Sequence, residues 1–88
     1  MNAAASRALS LSAAIGRQVR LRRQVFVLTV EALAERVGVT RDELIRVEEG
    51  GTDLSAASIH DICIALDTNL KEFFTGVERM MELGAADD

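Results

Sequence analysis

Eighty-eight residues with 10 Lys and Arg, 14 Asp and Glu, a net charge of -4, one Cys and no Pro, Trp or Tyr set narrow bounds on this chain. They allow one domain, near the lower size limit for a core without covalent staples, and the lone Cys63 excludes an internal disulfide. Many Ala, Leu, Val and Glu favour an all-α fold of about five helices over a sheet, and without an apolar run of signal-peptide or membrane-span length a cytoplasmic protein is expected.

Met1 to Leu11, rich in small residues, reads as a flexible N-terminal arm or a loose extension of the first helix, with Arg7 its one charge. Helix 1 is predicted from about Ser12, as N-cap, to Val25, with Ile15, Val19 and Phe26 turned to the core. Its other face carries Arg17, Arg20 and Arg22, a basic strip that suits either a phosphate backbone or plain solvation.

From Leu28 to Gly50 the chain signals two helix starts in succession. Leu28, Thr29 and Leu33 stand as N′, N-cap and N4, and Val39, Thr40 and Leu44 repeat that hydrophobic staple. Glu43, three residues after Thr40, adds a capping box to the second start, and Gly38 stops the helix between them. Two short capped helices around a glycine corner are the layout of a helix-turn-helix, whose second helix faces a nucleic-acid groove.

Gly50 is placed as the residue that ends helix 3. Helix 4 is predicted to start at Ser55, with Leu54 and Ile59 as its staple, and to bury Ile59, Ile62, Cys63 and Leu66. Cys63 therefore reads as a small core residue rather than a redox sensor, and His60 as a surface residue with no partner at metal-ligand spacing. Helix 5 should begin near Asn69, with Glu72 completing another capping box, and run through Leu83. Phe73 or Phe74 closes the core. The rest of the stripe, Val77, Met80 and Met81, and Leu83 beyond it outlast what a minimal domain needs, so Phe73, Val77, Met80 and Met81 are candidate dimerisation residues. The competing arrangement folds helix 5 back onto helix 1 of its own chain.

The run from Ile15 to Phe74, about two-thirds of the chain, resembles the phage-repressor/Cro-type helix-turn-helix domain, the xenobiotic-response-element family. Ile15-Gly16, Val19-Arg20, Arg23, the string LAERVGVT ending at Thr40, RVEEG ending at Gly50, and Ile59 through Leu66 carry the likeness. The resemblance implies a compact five-helix lambda-repressor-like fold at residues 12–75, between the arm (1–11) and an extended helix 5 with an acidic tail (76–88). It also implies a dimeric, sequence-specific regulator with helix 3 in the major groove of a palindromic operator. The positions facing DNA would be Thr29, Val30, Thr40, Arg41, Asp42, Glu43 and Arg46, supported by Arg17 and Arg20 of helix 1. Arg41 and Arg46 suit bidentate contacts to guanine, whereas Glu43 fits its capping box better than a base edge. In the family an ion pair joins the positions held here by Arg23 and Glu48. Two residues depart from the pattern: Val30 replaces a common glutamine and Val27 a common glycine. A β-branched residue at position 27 argues against a left-handed turn, so helix 1 is expected to leave by a longer path through Val25 and Phe26.

Charge is unevenly divided. Residues 1–46 carry +4 and residues 47–88 carry -8, which suits a polar molecule docking by its basic half. Double-stranded DNA and a second copy are the expected partners, without a membrane, small-molecule ligand, metal or cofactor. One His, one Cys and no phosphate-binding glycine loop argue against an enzyme. Repressor, activator and antitoxin all remain open. So does a protein-interaction module that has kept the fold but lost DNA affinity, since Val30 stands where the family has a phosphate-reaching glutamine and Asp42 and Glu43 place carboxylates on the reading helix.

Overall fold

The computed structural model describes residues 9–86, with side chains as far as residue 83. It contains five helices, and no strand occurs among the described residues: α1 Leu11–Val25, α2 Val30–Val37, α3 Arg41–Glu48, α4 Ala56–Ala65 and α5 Leu70–Ala86.

The helix ends explain why the chain divides here. Ser10, Thr29, Thr40 and Ser55 stand in extended backbone and each accepts the N–H of the third residue onward, closing one of the open donors of the following helix. Asn69 does the same for α5 through Oδ1, at 2.9 Å from the Glu72 N–H. The Glu72 carboxylate, however, accepts from the Thr68 hydroxyl, and the expected reciprocal half of that capping box is not formed. The cap of α1 is Ser10, two residues before the expected Ser12, whose hydroxyl instead donates to Asp53 at 2.7 Å. Of the expected arm, residues 1–8 lie outside the described residues, while Leu9 packs on the core and Leu11 is helical.

At their C-terminal ends α1, α3 and α4 share one device. The residue after the cap takes positive φ, and the next N–H reaches back to the carbonyl five positions earlier: Leu28 to Arg23, Gly51 to Arg46 and Thr68 to Cys63. Gly38 closes α2 in the same left-handed conformation. At the end of α1 that residue is Val27, at φ 56°. The expected longer exit is thus corrected: the left-handed turn forms despite the β-branched side chain, because two backbone hydrogen bonds and the packing of Leu28 hold it. The turn swings Phe26 outward, 48% exposed, so it is not the core residue expected.

The core gathers Ala14, Ile15 and Val19 of α1, Leu33 and Ala34 of α2, Leu44 and Val47 of α3, and Ile59, Ile62 and Cys63 of α4, joined by Leu66 and by Phe73 and Val77 of α5. Burial of the Cys63 thiol pushes its pKa up, away from thiolate chemistry. Phe73 and Val77 are both fully enclosed, so they cannot also form the surface of a dimer. The core extends past residue 75 because α5 packs along α1, the arrangement in which it folds back on its own chain. Gly76 permits this approach: a Cβ there would lie 2.2 Å from the buried Gln18 side chain. Met80 and Met81 are only partly buried and line the edge of the core.

Candidate nucleic-acid interface

α3 buries one face, Leu44 and Val47, and leaves Arg41, Asp42, Glu43 and Arg46 exposed on the other. Two devices fix this orientation. The first is the Arg23–Glu48 pair, which is doubly bonded, Nε to Oε2 at 2.6 Å and Nη2 to Oε1 at 3.0 Å, with side chains only 12% and 8% exposed. Arg23 Nη1 also donates to the Leu28 carbonyl at 2.8 Å, so one guanidinium ties α1, the turn before α2 and the end of α3 together. The second is Gly16, where a Cβ would meet the Val47 carbonyl oxygen at 2.3 Å, so α1 and α3 approach closer there than any side chain permits.

The capping box at Thr40 is complete. The Glu43 N–H donates to Thr40 Oγ1 at 3.1 Å, and the Thr40 N–H donates to Glu43 Oε1 at 3.0 Å. Glu43 is therefore turned back on its own helix start, where the Thr40 N–H first and the Thr40 hydroxyl second hold its carboxyl below the usual carboxylate range. Asp42 beside it is 85% exposed, with Arg41 Nη1 3.7 Å from its Oδ1.

Arg41, one of the two candidate guanine readers, is already engaged. Its Nε donates to Glu31 Oε2 at 2.5 Å across the gap between α3 and α2, and its Nη1 lies 3.7 Å from Asp42 Oδ1. Both side chains of the Arg41–Glu31 pair are more than half exposed. Glu31 carried no signal in the sequence as a site residue, because a contact between two helix starts ten residues apart follows no helical period. Arg46 stands exposed one turn beyond Asp42.

On α2, Thr29 spends its acceptor on the Ala32 N–H at 3.0 Å, and Val30 borders a small cleft with Arg20, Arg23, Ile45, Glu48 and Glu49. Arg20 is thereby brought beside the first turn of α2 and the outer side of α3. Arg17 is exposed one turn earlier and does not line that cleft. Ile45 and Glu49 complete a surface whose α3 side the sequence had assigned to Arg41, Asp42, Glu43 and Arg46.

No helix among the described residues is long and apolar enough to cross a membrane. Among the same residues, no cluster of three His, Cys, Asp or Glu side chains could hold a metal ion.

Comparison with known proteins agrees with this geometry. An uncharacterized transcriptional regulator in the ATPase CF(0) region of Rhodospirillum rubrum is 36% identical over 69 residues, which are 78% of this chain and 64% of that protein; the chain thus spans just under two-thirds of its relative. Among solved structures, the clp gene regulator ClgR from Corynebacterium glutamicum superposes with a TM-score of 0.87 at 26% identity, covering 90% of this chain and 84% of that one. The restriction-modification controller protein C.AhdI from Aeromonas hydrophila does so with a TM-score of 0.67 at 31% identity, covering 70% of this chain and 94% of that one. The model of the helix-turn-helix domain matches residues 14–73, the segment from the buried start of α1 to the core phenylalanine of α5, and the chain belongs to that family.

Proposed function

We propose that this chain is a sequence-specific transcriptional regulator that binds double-stranded DNA as a homodimer, inserting α3 of each copy into the major groove of one half of a palindromic operator. The observation that carries this reading is the outward face of α3. Arg41 and Arg46 are exposed on a helix locked at both ends, by the Thr40 capping box and the Arg23–Glu48 pair. A rigid helix with two arginines suits guanine readout, and Arg20 with the start of α2 suits the flanking phosphates. The regulators named above, each similar to this chain over most of its length, support the same function.

Pairing of two copies is supported by a groove of about 500 Å3 between α1 and α5, lined by the apolar Leu21, Met80 and Leu83 and by the charged Arg22, Lys71 and Arg79 with the single carboxylate Glu72. Lys71 and Arg79 are the two basic residues of the otherwise acidic half, and both line this groove. Glu78 and Glu82 of a second α5 would supply the complementary charge.

Selection of bound sequences from random duplexes, at two salt concentrations, tests the reading. Palindromic enrichment with half-sites about one helical turn apart is expected. Absence of both enrichment and salt-dependent retention would favour the second reading, a protein-interaction module, for which the solvent-exposed Asp42 on α3 is the motive.

A further inference from the structure

The Arg41–Glu31 contact joins the two helices that a helix-turn-helix presents to DNA, and it is made by a carboxylate that no guanine contact requires. Glu31 lies in the first turn of α2, and Arg41 is the first residue of α3. Glu31 holds Arg41 through Nε alone. That leaves the Nη1 and Nη2 end of the guanidinium without a hydrogen bond, its one charged neighbour being Asp42 Oδ1 at 3.7 Å from Nη1, and this end is a two-pronged donor of the width that matches guanine O6 and N7. An exposed arginine would otherwise lose much of its rotamer freedom on contacting a base, and a side chain already tethered loses less. The same carboxylate sets a negative charge at the start of α2, where any DNA backbone would approach, and so weakens attraction to phosphates of every sequence. The two effects reinforce each other: one favours the right base and the other penalises contacts that are blind to base identity.

We propose that Glu31 is a specificity-determining residue, which positions Arg41 for one guanine in each half-site and opposes binding to unselected DNA. The inference rests on the reading of α3 as the base-reading helix. Its signature is that affinity and selectivity move in opposite directions when Glu31 loses its charge.

The test uses the full chain, the best duplex selected by the wild type, that duplex with each guanine replaced in turn, and an unrelated duplex, all at one salt concentration. Glu31→Gln is expected to raise affinity for the unrelated duplex by a factor of about two to five. The preference for one guanine per half-site should fall about tenfold. In an Arg41→Ala background Glu31→Gln should leave the base preference unaltered, because the side chain it positions is gone. The melting temperature of Glu31→Gln should match the wild type, both side chains being exposed. A preference retained in Glu31→Gln would overturn the proposal. So would a preference sharpened in Glu31→Gln, which would make Glu31 a competitor for Arg41 instead of its support. A wild type that binds no duplex selectively would remove the DNA reading itself, and this inference with it; a selective wild type whose preference ignores Glu31 would remove the inference alone.

Discussion

Arg23 is the residue that ties α1, the turn before α2 and the end of α3 together, since its guanidinium donates to Glu48 twice and to the Leu28 carbonyl once. Removing Glu48 leaves a cation 12% exposed without its partner, and breaking a buried pair costs more than a surface pair contributes. Glu48→Ala is expected to destabilise the fold by about 3 kcal/mol. A double-mutant cycle with Arg23→Ala in urea should return a coupling energy well above the few tenths typical of exposed pairs, and a value near zero would mean that the two side chains act independently. Val27 is the opposite case, a residue that opposes the conformation it occupies. At φ 56° its β-branched side chain carries strain of about 1–2 kcal/mol, while glycine there would lose more backbone entropy, by about 0.5–1 kcal/mol. Val27→Gly should therefore stabilise the chain by up to about 1 kcal/mol, as a rise in melting temperature; a fall would show that the exposed valine contributes contacts worth more than the strain. Arg46 has a functional expectation only: Arg46→Ala should weaken binding to the selected duplex by about 1–3 kcal/mol and relax preference at one base pair per half-site, whereas equal loss on every sequence would make it a phosphate contact.

At the scale of the helices, four starts and the glycine stops at Gly38 and Gly50 were legible in the sequence, while the start at Ser10 was placed two residues late. Thr29, Thr40, Ser55 and Asn69 were readable because a short polar side chain three residues before a donor has one evident use there, and at the first three apolar residues on either side add a staple. The ends at Val27 and Asp67 were not, because neither residue type calls for positive φ as glycine does, and the hydrogen bonds that impose it depend on the whole turn. The Thr40 capping box ties this scale to solution conditions. Glu43 is held below its ordinary pKa of 4.5 by the Thr40 N–H and hydroxyl, so its contribution is complete above that pH and is lost as pH falls through the folded value. Thr40→Ala should cost about 1 kcal/mol at neutral pH. Glu43→Gln should flatten the acid side of a plot of urea midpoint against pH below about 4.5, and an unaltered acid limb would assign that sensitivity to other carboxylates. The outward face of α3 was legible as well, since Leu44 and Val47 define its buried side; the Arg41–Glu31 contact was not, because it depends on how two helices cross.

Among the described residues α1 packs against both α5 and α3, and its pairing with α5 decides which residues remain for assembly. The stripe of α5 divides along its length: Phe73 and Val77 enter the monomer core, Met80 and Met81 line its edge, and Leu83 stands 59% exposed beside Leu21 of α1, which is 47% exposed. A periodic run of apolar residues does not reveal where one core closes and another surface begins, and so the sequence assigned all four central residues to one interface. If two copies pair over the groove between α1 and α5, the energetic centre should be Leu21 and Leu83, flanked by the cations Arg22, Lys71 and Arg79. The double variant Leu21→Asp with Leu83→Asp removes apolar surface from that groove and places carboxylates in it, while leaving the enclosed core untouched. It should melt as a folded monomer and lose about two or more orders of magnitude in affinity for a palindromic duplex, through loss of the linked second half-site. Its affinity for a single half-site should not change. Val77→Asp, by contrast, buries an unpaired charge and should abolish folding altogether. Light scattering with thermal melting separates the two outcomes: a persistent dimer in the double variant would move the interface to another face, and a collapsed melt would show that Leu21 and Leu83 hold α5 onto α1 within one chain.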